Sequence, residues 1–210
     1  LHGGLGLSQR AHAEIVSIDL DAVKAAPGVV AVIAAADIPG FNDVASTGQH
    51  DEPLLATDLV QFHGQPIFAV IAQTRKQARR AARLAVIEYR DLPHWTDIEG
   101  ARQNGSPLVI EPMVLRRGDP ETEIGKPPLR IQASMEIGGQ EHFYLESHIA
   151  LAIPGEDEDV TVWSSTQHPS EVQHMVAHVL GCSQHAVDVK IRRMGGGFGG
   201  KETPVSYTHL

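Results

Sequence analysis

The amino-acid sequence predicts a mixed α+β fold, and three kinds of pattern support this prediction. Residues 187–191 place apolar side chains at every second position, which is the period of a strand with one buried face. Residues 170–180 repeat apolar side chains every three or four positions, as an amphipathic helix does. Proline and glycine account for 13 and 20 of the 210 residues and separate such segments along the chain. Strands and helices are therefore expected to alternate irregularly, with many turns between them.

Residues 12–95 contain the first group of predicted elements. Strands are expected at residues 12–18, 29–33 and 67–72. Asp19 can cap a short helix that ends before Pro27, and Thr74 with Gln77 forms the capping-box pattern of a second helix. The second helix carries alanines on one face, which favours close packing on a sheet. Its basic side chains favour a solvated face over an anion site; they are Arg75, Lys76, Arg79, Arg80 and Arg83.

Residues 92–128 are rich in proline, glycine and acidic residues, so we expect the boundary between two domains there. Beyond them, strands are predicted at residues 129–137, 148–153 and 160–163, and the last two should pair antiparallel. The helix over residues 170–180 should end at Gly181. The strand at residues 187–191 follows it.

Composition and charge exclude several classes of function. The net charge of −9, without a long basic run, argues against a nucleic-acid partner. The longest apolar stretch, residues 29–36, is far shorter than the roughly 20 residues that span a bilayer, so we expect no membrane segment. The single cysteine, Cys182, excludes an internal disulfide and an iron–sulfur cluster bound by this chain alone. No signal peptide is visible, and the low cysteine content favours a cytoplasmic location.

The most informative segment is the glycine loop, residues 195–200, in which five glycines surround Phe198 directly after a predicted strand. Glycine allows a sharp turn and a close approach of backbone amides to a ligand, and successive amides form a concave anion site. We therefore expect an anionic cofactor. A glycine-rich turn that merely links two elements is the alternative.

Two known phosphate-binding patterns fit the glycine loop only in part. Gly195, Gly197 and Gly200 match the dinucleotide fingerprint, but Pro204 stands where a helix should follow. The same loop matches a P-loop as far as Lys201, yet Glu202 replaces the magnesium-binding Ser or Thr, and a carboxylate there would repel a triphosphate. Direct binding of a nucleotide phosphate by residues 195–201 stays an alternative function.

Three further segments carry candidate functional side chains. Gln167, at a strand-to-helix turn, can donate its amide NH₂ to an oxo or carbonyl group, whereas Ser165 or Thr166 could equally serve to cap the helix. Residues 138–148 combine glycines, acids and histidines, and either fix a buried turn or support a cofactor. His174 and His178 share a helix face at metal-ligand spacing but lack the acid of a zinc motif, so solvent exposure is favoured.

Three blocks, in order along the chain, resemble the molybdenum-binding subunit of bacterial xanthine dehydrogenases, within the xanthine oxidase/aldehyde oxidase family of molybdenum hydroxylases. They are residues 138–146 (GGQEHFYLE), 164–170 (SSTQHPS) and 192–202 (RRMGGGFGGKE). Preceding segments resemble that family's α/β hammerhead domain; they are residues 10–15, 60–66 and 81–89. The resemblance implies four regions: a hammerhead domain (1–98), a connector (99–128), the start of a molybdenum-cofactor-binding domain (129–204) and a tail that does not match the family (205–210).

The resemblance also implies residue roles. The cofactor would be molybdenum–molybdopterin, whose pterin supplies the thiolates, so no side chain of this chain would ligate the metal directly. Gln167, Gly197, Phe198 and Gly199 would bind the cofactor, with Gln167 and Phe198 near the molybdenum. Glu202 would bind the substrate. The catalytic base is expected downstream, and no catalytic residue is assigned within residues 1–210.

For the whole protein, the resemblance implies hydroxylation of xanthine and hypoxanthine with oxygen from water. Electrons would pass through 2Fe–2S clusters to FAD on partner chains, which implies a hetero-oligomer. Residues 1–210 alone are expected to be inactive. Glu202 favours a purine over an aldehyde, while aldehydes and other N-heterocycles stay alternative substrates.

Overall fold

A computed structural model describes residues 1–45, 50–108 and 112–202, so the expected tail at 205–210 lies outside the described residues. The strands, in chain order, are β1 (His2–Leu7), β2 (Ala13–Asp19), β3 (Val29–Ala34), β4 (Leu59–Val60), β5 (Pro66–Ala72), β6 (Val86–Asp91), β7 (Ala150–Pro154), β8 (Val160–Ser164) and β9 (Val187–Lys190). The α-helices are α1 (Asp21–Lys24), α2 (Arg75–Ala81), α3 (Ile98–Gln103), α4 (Pro120–Gly125) and α5 (Pro169–Leu180). This mixture of helices and sheets is the α+β class that the sequence predicts.

The chain divides into two compact units. One unit combines Leu1–His94 with His142–Leu210, and it contains all three sheets of the described residues. The other unit is Trp95–Glu141, which contains α3 and α4. Among the described residues, no helix has the length and apolar character needed to cross a membrane.

The first sheet has the order β1-β5-β3, with β5 antiparallel to both neighbours. The central strand β5 is nearly all apolar and mostly buried, as expected of a strand covered on both faces. Its edge strand β1 is absent from the sequence prediction because glycines interrupt any alternation. The glycines are needed for packing: a Cβ at Gly6 would overlap the ring of Phe68, and one at Gly4 would lie 3.0 Å from the backbone of Ala78 in α2.

Helix α2 confirms two predictions. The hydroxyl of Thr74 accepts a hydrogen bond from the Gln77 amide at 3.2 Å, and therefore satisfies a free N–H of the first turn. Ala78 and Ala81 are buried, whereas the basic side chains predicted to be solvated are exposed. The second sheet, β4-β2-β6, is also antiparallel. A single apolar core joins both sheets to α1 and α2; it consists of Ala13, Val23, Ala56, Val60, Ile67, Phe68, Val70 and Ala81.

The third sheet, β7-β8-β9, leads to the glycine loop. Strands β7 and β8 pair antiparallel, as predicted, and β9 joins β8 in parallel after the connecting helix α5. Gly181 ends α5 in a left-handed conformation with φ of +69°, which confirms the predicted stop. Helix α5 packs on this sheet through a second apolar core, which consists of Val44, Val162, Val172, Met175, Ala177 and Val187.

Val44 shows that the segment after β3 reaches the second core. The amide of Gly40 donates to the carbonyl of Val179 at 2.9 Å, and the amide of Phe41 donates to that of His178 at 3.1 Å. These carbonyls belong to the last turn of α5, where the helix supplies few N–H donors of its own. A segment from the first part of the chain therefore satisfies the carboxyl end of α5.

The strand predicted at residues 129–137 is wrong, because this segment is neither helix nor strand. Its apolar side chains alternate as a strand requires, but Leu129 and Ile131 are 88% and 98% exposed. No strand of the described residues pairs with it, and a single extended segment leaves its backbone groups unsatisfied. The two short helices before it were not predicted; Asp97 and Asp119 begin them by accepting backbone hydrogen bonds.

Candidate functional site

The glycine loop contains a tight turn centred on Phe198 and Gly199. The amide of Gly200 donates to the carbonyl of Gly197 at 2.8 Å, and both central residues have positive φ, +54° and +89°. Positive φ at both positions is the signature of a type I′ turn, which normally excludes a bulky side chain. The Phe198 ring is nevertheless 76% exposed. The loop holds an aromatic residue in an unfavourable backbone conformation and presents it at the surface.

Gln167, in the turn between β8 and α5, holds the loop from one side. The backbone amide of Gln167 donates to the carbonyl of Lys201 at 2.9 Å. Its side-chain Oε1 accepts from the backbone amides of Gly199 at 3.0 Å and Lys201 at 3.3 Å. A Cβ at Gly197 would overlap this Oε1. Because Oε1 is engaged by the loop, the NH₂ end faces the other way, toward Glu202 at 3.4 Å.

The carboxylate of Glu202 lies at the edge of the same site. One oxygen is 3.4 Å from Gln167 Nε2, and the other is 3.4 Å from Nε2 of His168. The Glu202 side chain is 47% exposed, so a ligand can reach it. The residues expected to bind cofactor, Gln167 and those at 197–199, thus lie together with the residue expected to bind substrate.

A short segment, residues 142–148, supports the loop from the other side. A Cβ at Gly200 would lie 2.6 Å from the Tyr144 ring, so only glycine allows this contact. The Tyr144 hydroxyl donates to the Gly200 carbonyl at 3.3 Å and also contacts His148. These contacts hold the glycine loop in place, and support of a cofactor by this segment stays a prediction.

Glu146 and Lys201 form an ion pair at the loop, a contact that the sequence did not predict. One oxygen of Glu146, Oε2, accepts from Lys201 Nζ and from the Gly195 amide, each at 2.9 Å. The hydrogen bond from Lys201, followed by that from Gly195, lowers the pKa of Glu146 below its ordinary value. The Lys201 side chain is fully buried and its Nζ lies 4.8 Å from the centre of the Tyr144 ring. The sequence offers only one signal for this pair: Glu146 lies in the block 138–146, and Lys201 lies in the block 192–202.

Neither Ser165 nor Thr166 caps α5, which settles an alternative that the sequence left open. The helix begins after His168, without a capping side chain. Thr166 Oγ1 accepts from the amide of His168, just before the helix, at 3.0 Å and donates to the carbonyl of Lys201 at 3.2 Å. The hydroxyl of Ser165 accepts from the Ile149 amide at 3.2 Å. Both hydroxyls therefore anchor the chain around the glycine loop.

The paired histidines of α5, His174 and His178, differ in their surroundings. In the described ranges, no cluster of three or more His, Cys, Asp or Glu side chains could hold a metal ion. His174 is exposed as predicted, but His178 is only 25% exposed because its ring stacks on Phe41 with centroids 4.5 Å apart. Cys182 packs against the second apolar core, consistent with its predicted role as a small apolar side chain.

The residues of the loop fit a cofactor that brings its own metal ligands. Within the described part of the chain, the amides of Gly196, Gly197 and Phe198 have no hydrogen-bond partner, and adjacent free amides suit an anionic group. The lack of side chains at the flanking glycines leaves room for a close approach. No thiolate is needed from the chain, because such a cofactor supplies its own sulfur ligands.

Comparisons with known proteins identify the family of this chain. The family model for the aldehyde oxidase and xanthine dehydrogenase a/b hammerhead domain matches residues 1–93, and that for the molybdopterin cofactor-binding domain matches residues 103–210. A xanthine dehydrogenase of Dictyostelium discoideum is 45% identical over 198 residues, which cover 93% of this chain and 14% of that relative.

Two solved structures have a similar fold. Quinoline 2-oxidoreductase from Pseudomonas putida 86 gives a TM-score of 0.79 at 28% identity, over 95% of this chain and 27% of that chain. Aldehyde oxidoreductase from Desulfovibrio gigas gives 0.85 at 22% identity, over 99% of this chain and 25% of that chain. The chain thus spans about one seventh of the curated relative and about a quarter of the solved chains. It belongs to the aldehyde oxidase and xanthine dehydrogenase family of molybdenum hydroxylases, and it carries that family's a/b hammerhead and molybdopterin cofactor-binding domains.

Proposed function

We propose that the glycine loop and its surroundings form part of the cofactor and substrate site of an oxidoreductase that hydroxylates purines such as xanthine and hypoxanthine. The observation that carries the proposal is the convergence of Gln167, the loop amides and the Glu202 carboxylate at one place. The 45% identity to a protein named xanthine dehydrogenase supports the choice of a purine substrate.

When bound, molybdenum–molybdopterin supplies the two-electron oxidation chemistry, with the added oxygen taken from water. The chain's own contribution is to bind and orient. The amides of Gly196, Gly197 and Phe198 can donate to an anionic part of the cofactor, since they have no other partner in the described residues. Gln167 keeps Oε1 on the loop and directs its NH₂ outward as a donor. The exposed Phe198 ring can exclude water from one side of the ligand.

Glu202 is proposed to bind the substrate. Its carboxylate can accept hydrogen bonds from ring N–H groups of a purine and can thereby orient the ring in the site. Gln167 and His168, one beside each oxygen, restrict its orientation. A held carboxylate loses less conformational freedom when the substrate binds than a free one would.

Electron transfer would require partner polypeptides or further domains. The single cysteine cannot hold a 2Fe–2S cluster, and the chain covers only 14% of the Dictyostelium relative. We therefore propose that 2Fe–2S and FAD groups lie outside this chain, in a hetero-oligomer, and that residues 1–210 alone are inactive.

The second candidate is hydroxylation of another N-heterocycle or of an aldehyde. The structural similarity to quinoline 2-oxidoreductase at 28% identity favours this alternative over direct binding of a nucleotide phosphate. A phosphate would meet the Glu202 carboxylate at the end of the loop, where like charges repel.

The test is a substrate panel on the full-length protein, with xanthine, hypoxanthine, quinoline and an aromatic aldehyde, together with metal analysis. We expect bound molybdenum and a preference for the purines. Glu202→Ala should lower kcat/KM for xanthine by about tenfold or more, a loss of at least about 1.4 kcal/mol of transition-state binding, with molybdenum content unchanged.

Glu158→Ala, on an exposed turn, is the matched control and should match the wild type. A full-length protein without molybdenum would disprove the proposal. Wild-type kcat/KM for xanthine in Glu202→Ala would remove its substrate assignment, and a preference for quinoline or the aldehyde would select the alternative.

A further inference from the structure

The two ends of the glycine loop meet at a single atom. Oε2 of Glu146 accepts from the Gly195 amide at the start of the loop and from Lys201 Nζ just after its end, at 2.9 Å in both cases. The carboxylate therefore closes a ring around residues 196–200. Glu146 itself comes from a segment 55 residues earlier than Lys201, so the closure is a tertiary contact.

The burial of Lys201 makes this contact specific. Its side chain is fully buried, and an ammonium group removed from water needs a charged or strongly polar partner. Glu146 supplies that partner, and a hydrogen bond between two charged groups is shorter and stronger than one between neutral groups. Lys201 is the first cause of the lowered pKa of Glu146, which shows that the pair stabilises the charged form of the carboxylate.

Gln167 holds the opposite side of the same loop. Its Oε1 accepts from the backbone amides of Gly199 and Lys201, while the side chain of Lys201 points to Glu146. Lys201 is thus held through its backbone by one element and through its side chain by another. Since Glu202 is the next residue, the position of its backbone depends on both contacts.

We propose that Glu146 and Lys201 are a positioning pair. The pair holds the glycine loop in the shape that binds the cofactor, and it fixes the position of the Glu202 backbone. Neither side chain touches the ligand; both act through the loop backbone. The inference rests on the proposed function of the loop, and it gives these two side chains a specific role at the two ends of the loop. Loss of the pair should loosen the loop and weaken cofactor retention, even where the fold survives.

The experiment compares full-length variants by hydrogen-exchange mass spectrometry of peptides covering residues 191–202, by molybdenum content after dialysis and by thermal unfolding. The central variant is the double substitution Glu146→Leu with Lys201→Met, which removes both charges together and so avoids leaving one buried and unpaired. We expect a melting temperature close to that of the wild type. Exchange of the loop amides should rise about tenfold, the loss expected for one charge-assisted hydrogen bond, and molybdenum retention should fall by about tenfold.

A second variant keeps the result interpretable if the double substitution fails to fold. Glu146→Gln preserves an oxygen acceptor for both donors, so loop exchange should stay within about threefold of the wild type, whereas Glu146→Ala should raise it about tenfold. Arg10→Met, which breaks the Arg10–Asp91 ion pair (3.0 Å) away from the loop, is the matched control and should leave exchange and molybdenum unchanged.

Wild-type exchange and wild-type molybdenum content in both the double variant and Glu146→Ala would overturn the inference. This failure is distinguishable from failure of the proposed function. If the wild-type protein holds no molybdenum, the proposed function fails, while the exchange comparison still decides whether the pair holds the loop.

Discussion

The core around Phe68 and the loop around Phe198 place the same type of side chain in opposite settings. Phe68 is 1% exposed and packs among apolar residues from two sheets and two helices, whereas Phe198 is 76% exposed. The core depends on many weak contacts, each replaceable by a residue of similar size. The glycine loop depends on a few directed hydrogen bonds to Gln167 and Glu146. A change in the core should therefore alter stability, and one at the loop should alter ligand binding.

The largest expected effect is on the core side of this comparison. Phe68→Ala should lower the free energy of unfolding by about 3–5 kcal/mol, because it removes a buried ring and leaves a cavity. The change is measured as a shift in the midpoint of urea denaturation. Phe62→Ala, at a ring that is 49% exposed, should cost much less. Equal losses for the two variants would contradict the comparison.

A smaller effect on stability, but a larger one on cofactor binding, is expected at the loop. Gly200→Ala should cost about 1–3 kcal/mol, because its Cβ would lie 2.6 Å from the Tyr144 ring. Displacing Tyr144 should also reduce molybdenum content, measured by metal analysis of the full-length protein. Gly139→Ala, where a Cβ meets nothing within 4 Å, is the control. Full molybdenum content in Gly200→Ala would contradict the proposed role of the glycine loop in cofactor binding.

The helix cap at Thr74 tests whether a polar contact far from the loop affects stability alone. Thr74→Ala should lower the free energy of unfolding by about 1 kcal/mol, because the Gln77 amide loses its acceptor. Molybdenum content should not change. Thr57→Ala, at an exposed residue outside the helices and strands, should leave both quantities unchanged. A loss of molybdenum in Thr74→Ala would contradict the expectation that a change far from the loop affects stability alone.

The smallest expected effect concerns pH. The pKa of Glu146 is lowered from its ordinary value of 4.5, so its ion pair stabilises the folded protein above about that pH. That stabilisation is lost as the pH falls through the lowered pKa. Glu146→Gln should therefore unfold at a lower temperature than the wild type at pH 7, and the difference should vanish in acid. The effect is small because the carboxylate is 37% exposed and solvent screens its charge. A difference independent of pH would contradict this origin.

The parts of the fold that the sequence predicted are those whose cause is local. Gly181 stops α5 because glycine adopts positive φ without strain, and Thr74 caps α2 because its hydroxyl is next to free amides. Strand β1 was missed since its glycines serve contacts with Phe68 and α2, which only the folded chain reveals. Residues 129–137 have the period of a strand, but a strand also needs a partner, and none is found among the described residues.

The candidate site was predictable to a similar extent. The loop, Gln167 and Glu202 could be proposed as site residues because their residue types in those blocks match a known family. The pairing of Glu146 with Lys201 spans 55 positions and depends on how two segments meet, so no local pattern encodes it. The orientation of the Gln167 NH₂ toward Glu202 also follows from tertiary structure, since the loop amides occupy the other end of the side-chain amide.

The contact between residues 40–41 and the last turn of α5 bears on how this protein can be divided. The helix that begins beside Gln167 and His168 has its final carbonyls satisfied by amides from a segment that precedes the predicted connector. A recombinant piece that starts after residue 98 would leave those carbonyls, and the Val44 side of the second core, facing water. The two domains recognised by sequence should therefore be expressed together. A chimaera that exchanges the hammerhead domain must keep residues 40–44, which contact the end of α5 and the second apolar core.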